Sequence, residues 1–222
     1  MNHRLTFRDG CHTVVGLSMA FTIGLAGTRA DAAELGLSLD GGYFDLTNAR
    51  KSAQAVFGEP PGGFTGGGSV RYGFGRSFYV AAGARYFERT GERVFAADAS
   101  SPVFRLGHPL KARLIPAYAL LGYRLVRRRG FPLEPYIGLG GGVTSYHEES
   151  EVGGLKEGVL DQTKGAGYGV LGLEYGRSAL RFGIEMMYSV VPDSAGLGGV
   201  SKVYDEKDVG GFTVVGKLTV VP

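Results

Sequence analysis

The chain has 222 residues, which suits one domain, and its formal net charge of +3 is spread without a basic stripe, which excludes a nucleic-acid-binding surface. A hydrophobic content of 44% excludes a bundle of membrane helices, whereas 39 glycines, 12 tyrosines and 13 phenylalanines in short alternating segments are typical of all-β barrels and sandwiches. The single cysteine, Cys11, lies in a segment that we expect to be removed, so we predict a mature chain with neither a disulfide nor a cysteine nucleophile.

The first residues have the three-part pattern of a secretory signal peptide. A basic start is followed by the apolar run Val14–Gly27 and by small residues at the cleavage subsites. The run is shorter than the about 20 residues that a transmembrane helix needs. We predict cleavage after Ala32, with Ala30 and Ala33 as alternatives. The predicted units are a signal peptide, residues 1–32, and one barrel domain, residues 33–222.

After the leader, eight segments alternate between apolar and polar residues with a period of two, which predicts half-buried β-strands. Each run is long enough for a tilted strand to cross a bilayer. The predicted strands are Leu35–Tyr43, Phe64–Phe74, Phe78–Phe87, two within Ile115–Val143 on either side of the turn Arg127–Pro132, Gly165–Tyr175, Leu180–Tyr188 and Gly210–Val220.

The connections alternate in length along the chain. Short turns lie at 75–77, Arg127–Pro132 and 176–179, and long loops are predicted over the remaining connections, 44–63, 88–114, 144–164 and 189–209. Short turns on one side and long loops on the other are typical of outer-membrane barrels. We therefore predict an all-β fold, an eight-stranded antiparallel up-and-down transmembrane β-barrel with four surface loops and both termini on the periplasmic side.

Aromatic residues at the strand ends predict two girdles, one at each membrane interface. They fall on the apolar face, alternately beside short turns and beside long loops. The predicted girdle residues are Tyr43, Phe64, Phe74, Phe78, Tyr86, Tyr123, Tyr175, Tyr188 and Phe212.

The opposite face carries single charges between glycines and alanines, which suits the crowded interior of an eight-stranded barrel. Acids and bases nearly balance there, and charges in a narrow lumen are expected to pair. We predict a structural plug without a wide pore, built from Asp40, Arg71, Arg85, Arg124, Glu134, Glu174, Arg181, Glu185 and Lys217. An apolar stretch near Leu114 and Tyr118 would also face inward, as packed core or as a site for a small hydrophobic ligand.

The motifs Gly122-Tyr123-Arg124, Pro135–Gly140 and Gly172–Tyr175, with the rhythm of long and short connections, resemble the small eight-stranded outer-membrane β-barrel family, the OmpA/OmpX-like and porin-like proteins. The resemblance implies a Gram-negative outer-membrane protein with a structural or interaction role and no enzyme activity. It also implies lipid and lipopolysaccharide as partners and a monomer. Such barrels commonly end on an aromatic residue, whereas this sequence ends on Pro222.

Other functions stay open as alternatives. His147 and Ser150, within an acidic stretch predicted as a loop, suggest a lipid A-modifying hydrolase that is embedded in the barrel. A narrow OmpW-like channel for small apolar solutes and a soluble lipocalin-like carrier are the other two. Lys111 and Arg113, just outside the lipid-facing row, are candidates for contact with lipopolysaccharide phosphates.

No cofactor or metal is predicted. The run Gly167–Gly172 matches the glycine pattern of dinucleotide-binding loops, but a strand pattern continues through Tyr175, where that fingerprint needs a helix. The acidic stretch 147–164 lacks the spaced ligands of a calcium loop.

Overall fold

The structure is a computed structural model that describes residues 34–75, 77–125, 133–152, 155–176, 179–194 and 196–222. The predicted signal peptide with its cleavage site, Cys11 and the turn Arg127–Pro132 lie outside the described residues. No helix within these ranges is long and apolar enough to cross a membrane.

The described part of the chain forms eight antiparallel strands in one closed ring, in which each strand pairs with its neighbours in sequence and β8 pairs with β1. This confirms the predicted up-and-down barrel. A helix α1, Arg50–Phe57, lies between β1 and β2, and a single-turn helix α2, Val200–Val203, lies between β7 and β8. The strands are β1 Glu34–Asp45, β2 Gly63–Phe74, β3 Phe78–Phe95, β4 Phe104–Arg124, β5 Leu133–Val152, β6 Leu155–Tyr175, β7 Leu180–Val190 and β8 Gly211–Val220.

The outer face of the barrel wall is apolar and exposed. Phe64 is 74% exposed and Leu139 is 69% exposed. Within each strand the large exposed apolar residues of the barrel wall occupy alternate positions. Charged residues of the opposite parity, such as Arg85 and Glu174, are buried inside the ring. A water-soluble carrier would have the reverse arrangement, because exposed apolar surface of this extent is unfavourable in water. The soluble-carrier alternative is therefore wrong.

Two glycines in the wall make room for large side chains in the lumen. A Cβ atom on Gly122 of β4 would overlap the Tyr79 ring, and one on Gly172 of β6 would overlap the Tyr136 ring. Both tyrosines are almost fully buried. The absence of a side chain at these two glycines therefore leaves the space that the neighbouring tyrosine rings occupy.

Two of the four predicted long loops are wrong. The predicted loop 88–114 is mostly strand, because β3 continues to Phe95 and β4 begins at Phe104. The predicted acidic loop 147–164 belongs to β5 and β6, which end at Val152 and begin at Leu155. The other predicted strand ends agree with the structure within one or two residues.

The reason is an inversion of polarity along the same strands. Beyond the membrane-facing rows, the outward positions become charged, as at Glu88 and Arg113, because they face water. The inward positions become apolar, as at Leu110 and Ala112, which are buried. The alternation continues past the membrane-facing rows and shifts near the tip of the β3–β4 hairpin, where the ladder is irregular beyond Glu92. A search for apolar outward rows stops earlier, at the point where lipid gives way to water.

The described residues of segments 46–62 and 191–210, which we call the cap, fold into the mouth of the barrel. Their apolar residues and the inner face of the extended strands form one continuous core. That core contains Leu46, Ala49, Ala53, Val56, Val191, Leu197, Val200 and Val209 from the cap, and Phe44, Phe87, Val94, Leu110, Ala112, Leu114 and Tyr146 from the strands. The two long surface connections therefore close the mouth.

Candidate functional site: the barrel interior and its surface

A lower layer of ion pairs fills the end of the lumen near the short turns. Arg71 donates two hydrogen bonds to Glu174, both of 2.7 Å. Arg181 donates two bonds of 2.8 Å to Glu34, which also lies 3.0 Å from Arg124. Paired, planar contacts of this kind between arginine and carboxylate are among the strongest hydrogen bonds in proteins.

A second layer lies in the middle of the lumen. Arg85 bridges two acids, with bonds of 2.9 Å to Asp40 and 2.5 Å to Glu185. Glu185 also accepts a 2.9 Å bond from Lys217 and a 2.7 Å bond from the Tyr136 hydroxyl. The Glu185 carboxylate therefore holds four strands together, since these residues come from β3, β5, β7 and β8.

The structure places all nine predicted lumen charges inside the ring, where Glu134 completes the lower layer 3.2 Å from Arg124. Sequence reasoning missed Glu34, which pairs with three arginines. With Glu34, the four predicted acids become five and equal the five predicted bases. The signal was present in the sequence, because Glu34 has the same parity as Asp40, but the first strand was predicted to begin one residue later.

Aromatic rings occupy the space between the ionic layers. Sequence reasoning placed Tyr118 on the inward face but missed Tyr79 and Tyr136. The Arg71 guanidinium lies 5.9 Å from the ring centres of Tyr79 and Tyr136. The Arg85 guanidinium lies 5.6 Å from the ring centre of Tyr118. Cations at this distance from an aromatic face are attracted by the ring. The tyrosines therefore fill the lumen and stabilise its charges.

The upper lumen is packed core. Phe44 and Phe87 meet edge to face with ring centres 5.0 Å apart, and Leu114 is buried beside them. The cavity among these residues has a volume of about 20 Å³. This is room for about one water molecule. Of the two predicted possibilities for this apolar stretch, the structure therefore shows packing instead of a ligand-sized space.

The predicted girdle residues all lie on the outer face. Beside the short turns, Phe78 packs against Phe74 and Tyr123 with ring centres 6.0 and 5.2 Å apart. At the other end, Tyr43 lies opposite Phe64 in the β1–β2 ladder. At that same end Tyr188 lies opposite Phe212 in the β7–β8 ladder and Tyr86 of β3 is exposed. Tyr175 of β6 is exposed beside the short turn 176–179.

His147 and Ser150 do not form a catalytic pair. Both belong to β5 and their side chains leave the strand on opposite faces, because they are three residues apart. His147 lies outside, 3.7 Å from Glu149, whereas Ser150 is buried and donates to the carbonyl of Pro109 at 3.3 Å. A general base must reach the hydroxyl directly. No group of metal-ligating side chains was found among the described residues either.

Lys111 and Arg113 lie on the outer face of β4, directly above the lipid-facing row. Their nitrogens contact a single carboxylate, Glu88, at 2.9 and 3.1 Å. The Tyr86 hydroxyl also donates to Glu88, and this bond with the Lys111 contact lowers the pKa of Glu88 to about 2. Two cations thus share the Glu88 carboxylate, which stays ionised at neutral pH.

Comparisons with known proteins bear on the fold. No protein family model matches the chain, and no curated protein matches it. It is similar to the solved structure of the outer membrane protein OprG from Pseudomonas aeruginosa, with 13% identity over 87% of this chain and 97% of that chain and a TM-score of 0.54. It is also similar to a major outer membrane protein from Thermus thermophilus, with 11% identity over 86% of this chain and 100% of that chain and a TM-score of 0.55.

At these identities the likeness shows the fold alone. That fold is the outer-membrane β-barrel, which confirms the predicted fold class and the resemblance to small barrels of this kind. The predicted outer-membrane location agrees with the fold and with the exposed apolar outer surface.

Loss of the Glu185 carboxylate is expected to destabilise the barrel. In Glu185→Gln, Arg85 and Lys217 keep their charges in a buried layer but lose their shared acid. Breaking a buried pair in this way costs roughly 3–5 kcal/mol. Urea unfolding in lipid vesicles measures the change in the free energy of unfolding. The control is Asp205→Asn, which removes an exposed pair with Lys207 and should leave the unfolding curve unchanged. Equal effects of the two substitutions would contradict an energetic role for the middle layer.

Proposed function

We propose that this protein is a closed outer-membrane barrel that acts as a rigid support for its extracellular surface, neither transporting solutes nor catalysing a reaction. One observation carries the proposal. The lumen is filled over its whole height, by two ionic layers, by the tyrosines between them and by the apolar core under the cap. A single chain completes the ring, which supports a monomer.

The part of the barrel that extends beyond the upper girdle supports an interaction role. At the tip of the β3–β4 hairpin, Phe95 and Phe104 lie opposite each other and are 57% and 59% exposed. They are nine or more residues along the strands from the girdle residue Tyr86. Exposed aromatic surface far from the lipid is characteristic of contact sites. The extended hairpins would present such surfaces at a fixed height.

Lipopolysaccharide is the proposed partner nearest to the membrane. Lys111 and Arg113 face outward at the level where outer-leaflet phosphates would lie, and both contact Glu88. The Arg113 guanidinium also lies 5.7 Å from the ring centre of Tyr86, which orients it along the wall. A phosphate could join Glu88 as a second anion for the two cations.

Export is proposed to follow the predicted route, with a signal peptide of residues 1–32 and a mature domain that begins at residue 33. The strand β1 begins at Glu34, directly after that boundary, and Glu34 is needed in the lower ionic layer. Amino-terminal sequencing of the protein from the outer membrane is expected to read from Ala33. A first residue beyond Glu34 would contradict this boundary.

In planar bilayers the folded protein is expected to show no conductance above background, while an open porin in the same bilayer gives clear steps. A second form, in which short turns replace residues 47–61 and 192–209, should also stay closed, because both ionic layers lie below the cap. Steady conductance of the full chain would overturn the proposal. Conductance only after the replacement would assign the closure to the cap instead of the ion pairs.

Vesicles that contain lipopolysaccharide should stabilise the protein relative to phosphatidylcholine vesicles, and Lys111→Ala/Arg113→Ala should lose most of that gain. About 1 kcal/mol per cation near an anionic surface predicts a loss of about 2 kcal/mol. Urea unfolding in the two vesicle types measures the difference. The matched control is Arg105→Ala, a paired cation at the hairpin tip, which should keep the gain. An unchanged gain in the double variant would exclude these residues as the contact.

A further inference from the structure

Glu148 is a buried acid that the lumen network does not use. It lies on the inner face of β5, at the level of the cap, and is 4% exposed. Its carboxylate accepts hydrogen bonds from the backbone N–H groups of Leu197 and Gly198, at 2.5 and 2.7 Å, and from the Tyr146 hydroxyl at 2.5 Å. Burial raises the pKa of Tyr146 well above its usual value, so this hydroxyl stays protonated and donates. Among the described residues, no ion pair includes Glu148.

The turn that receives Glu148 has an unusual backbone. Leu197, Gly198 and Gly199 have φ angles of 58°, 66° and 83°, which lie in the left-handed region. A leucine rarely adopts this conformation, because its Cβ crowds the following carbonyl. Consecutive residues of this kind point their N–H groups into one concave site for an anion. The Glu148 carboxylate occupies that site, so the turn is held in shape by an acid on the barrel wall.

The same segment is tied to the other half of the cap. Glu206 accepts hydrogen bonds from the backbone N–H groups of Lys51 and Ser52 at 3.0 and 2.9 Å, at the beginning of α1, and from the Ser52 hydroxyl. The Asn48 amide donates to Asp208 at 2.9 Å. Each of these bonds joins segment 46–62 to segment 191–210, and the Asn48 amide also bonds to strand β7 of the barrel wall.

Burial binds the two segments further. Ala53 and Val56 of α1 are fully buried in the same core as Leu197 and Val200. If either segment moved out alone, it would uncover the apolar side of the other and leave backbone N–H groups without acceptors. Both consequences are costly, so the two segments gain by moving together.

We propose that segments 46–62 and 191–210 form one lid that docks on and leaves the barrel mouth as a unit, with Glu148 as the latch that docks it. A partner that binds segment 191–210 would then change the exposure of α1, although α1 itself does not contact Glu148. The surface that the protein presents would thus depend on one acid of the barrel wall.

Hydrogen exchange of the full chain, folded in lipid vesicles, tests the proposal with Glu148→Gln. The amide group replaces one accepting oxygen with a donor that faces backbone N–H groups. We expect exchange to become roughly tenfold faster in peptides from 191–210 and, by a similar factor, in peptides that cover Arg50–Phe57. Amides of the membrane-spanning strands should not change. The matched control is Glu149→Gln, the adjacent residue on the outer face, which should leave the cap unaffected.

A second variant separates the latch from the folding of the wall. Gly198→Ala places a side chain at a left-handed position of the turn and leaves β5 intact, so it should give the same joint acceleration. Heat-modifiable gel migration reports in each case whether the barrel has folded. Acceleration confined to 191–210 would show that the two segments move independently. No acceleration in either folded variant would show that Glu148 is not a latch, and either result would overturn the proposal.

Discussion

The narrow closed ring is the constraint on which the rest of this structure depends. Eight strands leave an interior that side chains must fill, and a charge that points inward has no bulk water to solvate it. The acids of the two ionic layers are therefore matched with inward bases, in a lower layer around Glu34 and Glu174 and a middle layer around Glu185. Removing one partner leaves another charge buried without compensation, so the network is sensitive as a whole.

The same ring explains how the polarity of the residues on each face changes along the strands. The alternation of the strands continues beyond the membrane, but the medium outside changes from lipid to water and the cap enters the mouth. Outward residues are apolar beside the lipid, as at Leu139, and charged above it, as at Lys111. Inward residues follow the opposite order, from Arg71 in the lower lumen to Leu110 under the cap. The inner face of the barrel therefore lines two interiors, an ionic one in the lower lumen and an apolar one under the cap.

Function follows from this division of the molecule. We propose that the ionic lower lumen and the packed upper lumen leave no passage, so that the protein would meet other molecules at the surface beyond the membrane. That surface consists of the extended hairpins and the cap. Glu148 joins the cap to the wall and Glu206 joins the two halves of the cap, each by accepting hydrogen bonds from backbone N–H groups. Such bonds have direction and need a fixed geometry, so they favour an ordered display over mobile loops.

The sequence by itself determined the strand number, the order of pairing, the outward rows and the nine inward charges, because a period of two can be read without knowing any contact. It did not show which acid meets which base, since Arg85 meets Asp40 and Glu185 only when distant strands close into a ring. It also placed loops where β5 and β6 continue, because polar outward residues there are satisfied by water. Only the tertiary structure decided the hydrogen-bond partners of Glu148, because they are backbone N–H groups of a turn about 50 residues away.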